Sequence, residues 1–290
     1  MGRERILGVD HTDTLSTVNN LAILLKQQGE YEAARQMYQR AVMGYEKALG
    51  PLHRNTLSTV NNLAILLKQQ GELEEATELY KKALSGRKES LGPNHPETLD
   101  TVNNLAVLWQ QLGKITEAED LFRISLEGRE KVLGENHPNT LKTVLNLADL
   151  LRGAGRLVDA KALYMRALAT KEATLGQNHM DCLNLGMVLA DVLGEIGDRE
   201  TNSVNAKKAF GAAIRHYRSA LVEYENLYGH THPDTLSLVY SLALLSKKIG
   251  NESEHQHFYK RALEGFEKTL GPDHAYTKMA ARMKKTLSRK

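Results

Sequence analysis

The chain has 290 residues, 25% of them charged and 41% hydrophobic, enough to bury a large core as one or two compact units. Six prolines and 6% aromatics argue against a sandwich of many short strands, one cysteine (Cys182) excludes an internal disulfide framework, and no run of about 18 apolar residues offers a membrane span. The net charge is +3, but residues 278–290 hold six basic residues and no acid, so the rest is net −3, unlike a nucleic-acid surface.

Residues 1–7 read as the end of a helix. Gly2-Arg3-Glu4-Arg5-Ile6-Leu7-Gly8 mirrors Gly128-Arg129-Glu130-Lys131-Val132-Leu133-Gly134, so the chain is expected to open on a truncated repeat. These residues are too polar for a secretory signal, and the lone cysteine fits a reducing compartment. The expected location is cytoplasmic.

From there the sequence is periodic. Gly8, Gly50, Gly92, Gly134 and Gly176 stand 42 residues apart, Gly229 follows after 53, and Gly271 after another 42. Three residues past each stands a histidine: His11, His53, His95, His137, His179, His232 and His274. Twenty-one residues past the first six stands Gly29, Gly71, Gly113, Gly155, Gly197 or Gly250. Fixed periods of this length mark repeat architectures. The predicted repeats are residues 8–49, 50–91, 92–133, 134–175, 176–228 and 229–270, followed by a polar capping helix over 271–290.

Each repeat reads as two helices. In the first repeat, residues 14–28 carry Leu15, Val18, Leu21, Ala22 and Leu25 at spacings of three and four, an amphipathic helix. Gly29 supplies the stop. Residues 31–49 form the second helix, with Ala34, Tyr38, Ala41 and Val42 on one face. In His95-Pro96-Glu97, His137-Pro138-Asn139 and His232-Pro233-Asp234 the proline suits the first helical position. The seven histidines, a full repeat apart, are expected to cap helices rather than hold metal. His230/His232 and His255/His257 likewise lack thiolate or carboxylate companions.

The fifth repeat has an 11-residue insertion. Residues 198–202 read as a polar turn, and Ser203 onward lengthens the second helix, its apolar face continued by Phe210, Ile214 and Tyr217. At the far end Lys284 and Lys285 replace the Leu-Ala core pair, as befits the polar cap of a solenoid.

Aligned, the repeats carry Leu21-Ala22, Leu25, Gly29, Ala34, Tyr38 and Ala41, with the aromatic position filled by Tyr38, Tyr80, Phe122, Tyr164, Tyr217 and Tyr259. This pattern resembles tetratricopeptide repeats. The 42-residue period and the string Leu-Gly-x-x-His-Pro-x-Thr-Leu, then Asn-Asn-Leu-Ala, are similar to the kinesin light chain subclass. The resemblance implies an all-α, right-handed superhelical solenoid of antiparallel helix pairs, with no cofactor and a protein or peptide partner. Sensor arrays of nucleotide-binding signalling proteins and ciliary scaffolds have similar repeats. A motor complex and a signalling complex are therefore both implied partners. The heptad segment by which kinesin light chains bind their motor subunit has no counterpart in these residues.

In such a solenoid the first helices line a concave face. Rotation by about 100° per residue turns Ser16, Asn20, Ile23 and Gln27 away from the core. The matching columns are Ser58, Asn62, Ile65 and Gln69, then Asp100, Asn104, Val107 and Gln111, then Lys142, Asn146, Asp149 and Gly153. Asn20, Asn62, Asn104 and Asn146 thus form a ladder of carboxamides, each able to pair with a peptide N–H and C=O. The resemblance assigns them to holding peptide backbone; the alternative is that they bond neighbouring helices. Units five and six depart with Val188 and Ser241. Lys26, Lys68 and Arg152 lie on the groove edge beside Gln27, Gln69 and Gln111, while Asp149, Asp191 and Glu195 make its later part acidic. Asn19, Asn61 and Asn103 fall on the flank, where a structural role is expected.

Kinesin light chain grooves favour acidic peptides with a tryptophan, a preference that would fit only the first three repeats. The lysine clamp of chaperone-binding relatives is not assembled, since Ser16, Ser58 and Asp100 occupy one of its columns. No Gly-rich phosphate loop and no His-Glu-x-x-His motif occurs. Cys182 stands where Thr140 stands one repeat earlier, so a packing role is expected. The chain therefore reads as a binding scaffold or adaptor, not an enzyme, with the regulatory array of a larger signalling protein as the other reading.

Overall fold

The computed structural model describes residues 2–287, with side chains as far as Arg282. Among these residues the chain is built from 14 α-helices and no strand. It divides into two compact units, Met1–Leu150 and Leu151–Lys290. The first holds α1 (Gly2–Leu7), α2 (Thr12–Gln27), α3 (Tyr31–Leu49), α4 (Arg54–Gln70), α5 (Leu73–Leu91), α6 (Pro96–Gln111), α7 (Ile115–Leu133) and most of α8 (Pro138–Gly153). The second holds α9 (Leu157–Leu175), α10 (Met180–Arg199), α11 (Ser203–Tyr228), α12 (Pro233–Ile249), α13 (Glu252–Leu270) and α14 (Ala275–Leu287).

The recurrent sequence motif has a local physical cause. Every register histidine turns its Nδ1 onto the backbone N–H two residues on, as His53 does to Asn55 at 3.1 Å and His137 to Asn139 at 3.1 Å. That satisfies one of the donors a helix start leaves open. The threonine of the motif then ties back to the turn: the Thr56, Thr98 and Thr140 hydroxyls each donate to the carbonyl of Gly50, Gly92 or Gly134 at 2.9 Å. In the fifth repeat Cys182 fills the same buried place. Its surroundings push the thiol pKa up, burial being the largest cause.

Within the first unit α2 packs on α3, α4 on α5 and α6 on α7, and α3 meets α4 as α5 meets α6. Ala22, Ala34, Tyr38, Leu63, Ala64 and Tyr80 join one buried cluster. Small side chains let the helices approach, and the aromatic ring fills the space beside them. All six aromatics at this register are buried. Leu21 departs from expectation. It is 44% exposed, whereas Leu63, Leu105 and Leu147 at the same register are 1–5% exposed. Leu63 lies against α3 with Ala34 and Tyr38, while only the short α1 precedes α2.

In the second unit α10 packs on α11, α12 on α13, and α14 on α13. The insertion makes α11 26 residues long where α3, α5, α7, α9 and α13 have 19. Asn202 caps it through Oδ1 to the Val204 and Asn205 N–H groups. Phe210, Ile214 and Tyr217 face the core as the apolar pattern predicts. Gly197, in contrast, is not a stop like Gly71, whose φ is +86°. The helix runs through it to Arg199, and a Cβ there would collide with the Phe210 ring. The extra turns have changed the glycine's task from ending a helix to admitting a ring. The side chains of Lys284 and Lys285, expected to cap the array, lie outside the described residues.

Candidate functional site

The first unit contains an open polar hollow of about 450 Å³ between its first helices. Ser58, Asn62 and Ile65 of α4, Asp100 and Asn104 of α6 and Lys142 of α8 line it, with Arg87 and Arg129 from the second helices at its base. The two central rungs of the expected ladder, Asn62 and Asn104, therefore come together here, both half-buried. Asn20 is exposed on α2. Asn146 is half-buried, and its Nδ2 donates to Asn103 Oδ1 at 3.1 Å, so part of this amide joins α8 to α6. The Thr143 hydroxyl donates to the same oxygen at 3.3 Å. Asn103 thus has the structural role expected of the flank. Asn61 occupies that position one repeat earlier, 8% exposed, and its Oδ1 accepts no hydrogen bond from the described residues.

Lys26 and Lys68 are half-buried at the ends of α2 and α4. The Lys68 ammonium is held below the ordinary lysine value, chiefly by burial and next by the neighbouring Lys142 charge. Gln27, Gln69 and Gln111 are exposed and lie outside the hollow.

Arg152 belongs to the second unit. Its Nη2 lies 2.6 Å from Glu195 Oε1, and it lines a separate hollow of about 240 Å³ with Asp191, Asp198, Tyr217, Ser241 and Lys248. The Tyr217 hydroxyl donates to Asp191, and Lys248 Nζ reaches both Asp198 oxygens at 2.6 Å. This hollow carries three carboxylates against two cations, the acidic character expected of the later groove.

Arg87 and Arg129 were not among the sequence candidates. Each guanidinium is nearly buried, 4% and 3% exposed, and spans three helices. Arg87 donates from α5 to the Glu97 carbonyl and Thr101 hydroxyl of α6 and to Ser58 of α4. Arg129 repeats this from α7 to the Asn139 carbonyl and Thr143 of α8 and to Asp100 of α6. The signal was present as the Gly-Arg pairs Gly86-Arg87 and Gly128-Arg129, one period apart. The pair alone does not say what lies 14 residues further on.

The tetratricopeptide repeat family model matches residues 2–47, 13–89, 55–123 and 97–173. A comparison with curated proteins found no match. Among solved structures, the chain is similar to the nearly identical TPR-like repeats of a Podosopora anserina protein described as a kinesin light chain. The two share 23% identity at a TM-score of 0.62, over 75% of this chain and 98% of that one. BtubC (BKLC) from P. vanneervenii aligns at 19% identity and a TM-score of 0.63, over 86% and 92%. PilW, a type IV pilus biogenesis factor, aligns at 16% and 0.62, over 92% and 98%. At these identities the likeness is one of fold. No helix among the described residues is long and apolar enough to cross a membrane.

Proposed function

Because the chain belongs to the tetratricopeptide repeat family, we propose that it is a non-catalytic scaffold or adaptor holding an extended peptide segment of a protein partner in the groove of its first helices. The observation that carries this reading is the half-buried pair Asn62 and Asn104, one repeat apart in a single open hollow. A carboxamide offers a donor and an acceptor, the pair of groups that each peptide unit presents. The main-chain groups of an extended segment recur regularly and suit rungs that recur regularly. Ile65, which lines the same hollow, gives apolar surface for a peptide side chain.

Lys68 and Lys142 repel one another at the groove edge, and an acidic group on the ligand relieves that repulsion. The ligand expected in the first unit is therefore an extended peptide with at least one carboxylate. Asn20 and Lys26 extend the same surface, and Arg152 serves the second unit. Gln27, Gln69 and Gln111 are rim contacts in this reading. The partner belongs to a motor or signalling complex of the cytoplasm.

A photo-crosslinking amino acid placed at Asn104 tests this. Labelled partner peptides should cross-link from Asn104 and not from the exposed outer residue Glu78. Equal labelling from both positions would contradict a groove-bound ligand.

A further inference from the structure

The second helices offer an internal control for outward-facing positions. On α9, Val158, Ala162, Met165, Ala169 and Ala173 are all exposed, Val158 by 67% and Met165 by 52%. Spacings of three and four place the five on one strip. The same columns of α5 hold Glu74, Glu78, Lys81, Ser85 and Glu89. α3 and α11 each carry one large apolar side chain there, Met43 and Val222, and α7 and α13 carry none. Helix α9 also buries Leu157, Ala160, Tyr164, Ala167 and Leu168 on its inner side. It is thus apolar on two faces, and its own fold uses only one.

We propose that this strip is the contact by which two copies of the chain associate, α9 packing antiparallel on α9 of the second copy about a two-fold axis near Met165. The order of side chains fits a self-complementary surface. About such an axis Met165 meets Met165, Ala162 meets Ala169 of the other copy, and Val158 meets Ala173. The alanines permit close approach of the backbones, and the flexible methionines fill the centre. Charge supplies the direction. Lys161 and Glu172 lie on the same edge of the strip, three residues after Val158 and one before Ala173. Residues on one edge meet residues on that same edge in an antiparallel pair, so Lys161 of each copy faces Glu172 of the other. A parallel pairing would set them apart. Arg166, on the opposite edge near the axis, already interacts within its own chain.

Sedimentation equilibrium of the full chain, from micromolar to millimolar concentration, tests the assignment. The wild type is expected to move from the mass of one chain to twice that mass. Met165→Glu should abolish the larger species, and Lys161→Glu should weaken it about tenfold by replacing two attractions with two repulsions. The exchange Lys161→Glu with Glu172→Lys should restore association to near the wild-type value. Met165 is exposed in the single chain and Lys161 and Glu172 are half-buried, and circular dichroism of each variant separates a loss of association from a loss of folding. A wild type that stays at single-chain mass throughout would overturn the proposal. So would a dimer indifferent to Met165→Glu, or a charge exchange that fails to rescue.

Discussion

Arg87 Nη1 stands 2.7 Å from Thr101 Oγ1 and 2.8 Å from the Glu97 carbonyl, and Arg129 meets Thr143 and the Asn139 carbonyl in the same way. Arg3 makes the contact a third time, to Thr17 at 3.1 Å and the Asp13 carbonyl at 3.2 Å. In each case a second helix is fastened to the next first helix, 10 and 14 residues along. Arg129→Met keeps most of the side-chain length but leaves a buried hydroxyl and a carbonyl without this donor. We predict a loss of about 2 kcal/mol in denaturant unfolding. Arg3→Met, at an exposed copy of the contact, should cost less than about 0.5 kcal/mol.

Tyr38 and Tyr80 are completely buried, and neither hydroxyl has a partner among the described residues. Phe122 fills the same position one repeat on without a hydroxyl. Tyr80→Phe is therefore expected to be neutral or to stabilise by up to about 1 kcal/mol. The pH dependence follows from the same burial. Tyr38 is pushed up to about 12 by desolvation, above the ordinary tyrosine value. The unfolded chain loses its phenolic proton first, so stability falls as pH rises from about 10 toward 12. Tyr38→Phe should make this part of a thermal-melting profile less steep, the raised phenols of Tyr80 and Tyr217 keeping the remainder, and leave neutral pH unchanged.

Cys182 takes the place of the threonine that in the three preceding repeats donates to the turn glycine. Cys182→Thr restores a hydroxyl in nearly the same volume, within reach of the Gly176 carbonyl. A gain of about 1 kcal/mol is expected. No gain would mean that the fifth turn holds its carbonyl differently from its neighbours.

Gly197→Ala should go against the usual preference of helices for alanine. The added methyl would meet Phe210, so a loss of about 2 kcal/mol is predicted where the helix preference alone would favour the variant. The double variant Gly197→Ala, Phe210→Leu should recover part of it.

The sequence was most readable where the chemistry is local. His53, Gly50 and Thr56 fall within seven residues, and their spacing encodes a turn, a cap and a tie. Tyr38 and its five counterparts were legible because the same neighbours recur each period. Leu21 misled because burial depends on what packs alongside, and the periodic pattern assigns it the same place as Leu63. Gly197 misled for a related reason: its register matches a stop, but the 11 inserted residues bring Phe210 to it. At the candidate site, rotation about the helix axis located Asn62 and Asn104. It did not reveal that Asn146 is drawn to Asn103, nor that Arg87 and Arg129 reach across three helices. Those contacts join residues 14 to 43 positions apart, which no helical period specifies.

The most direct test compares Asn62→Ala/Asn104→Ala with Asn146→Ala, measuring partner-peptide affinity by calorimetry alongside thermal stability. The account predicts that the double variant loses at least about tenfold in affinity, roughly 1.4 kcal/mol, with a melting temperature close to wild type. Asn146→Ala should instead lower stability by about 1 kcal/mol, because its amide serves Asn103. Full affinity in the double variant, or a loss of folding that accounts for all of its binding defect, would contradict a groove whose central asparagines hold the peptide.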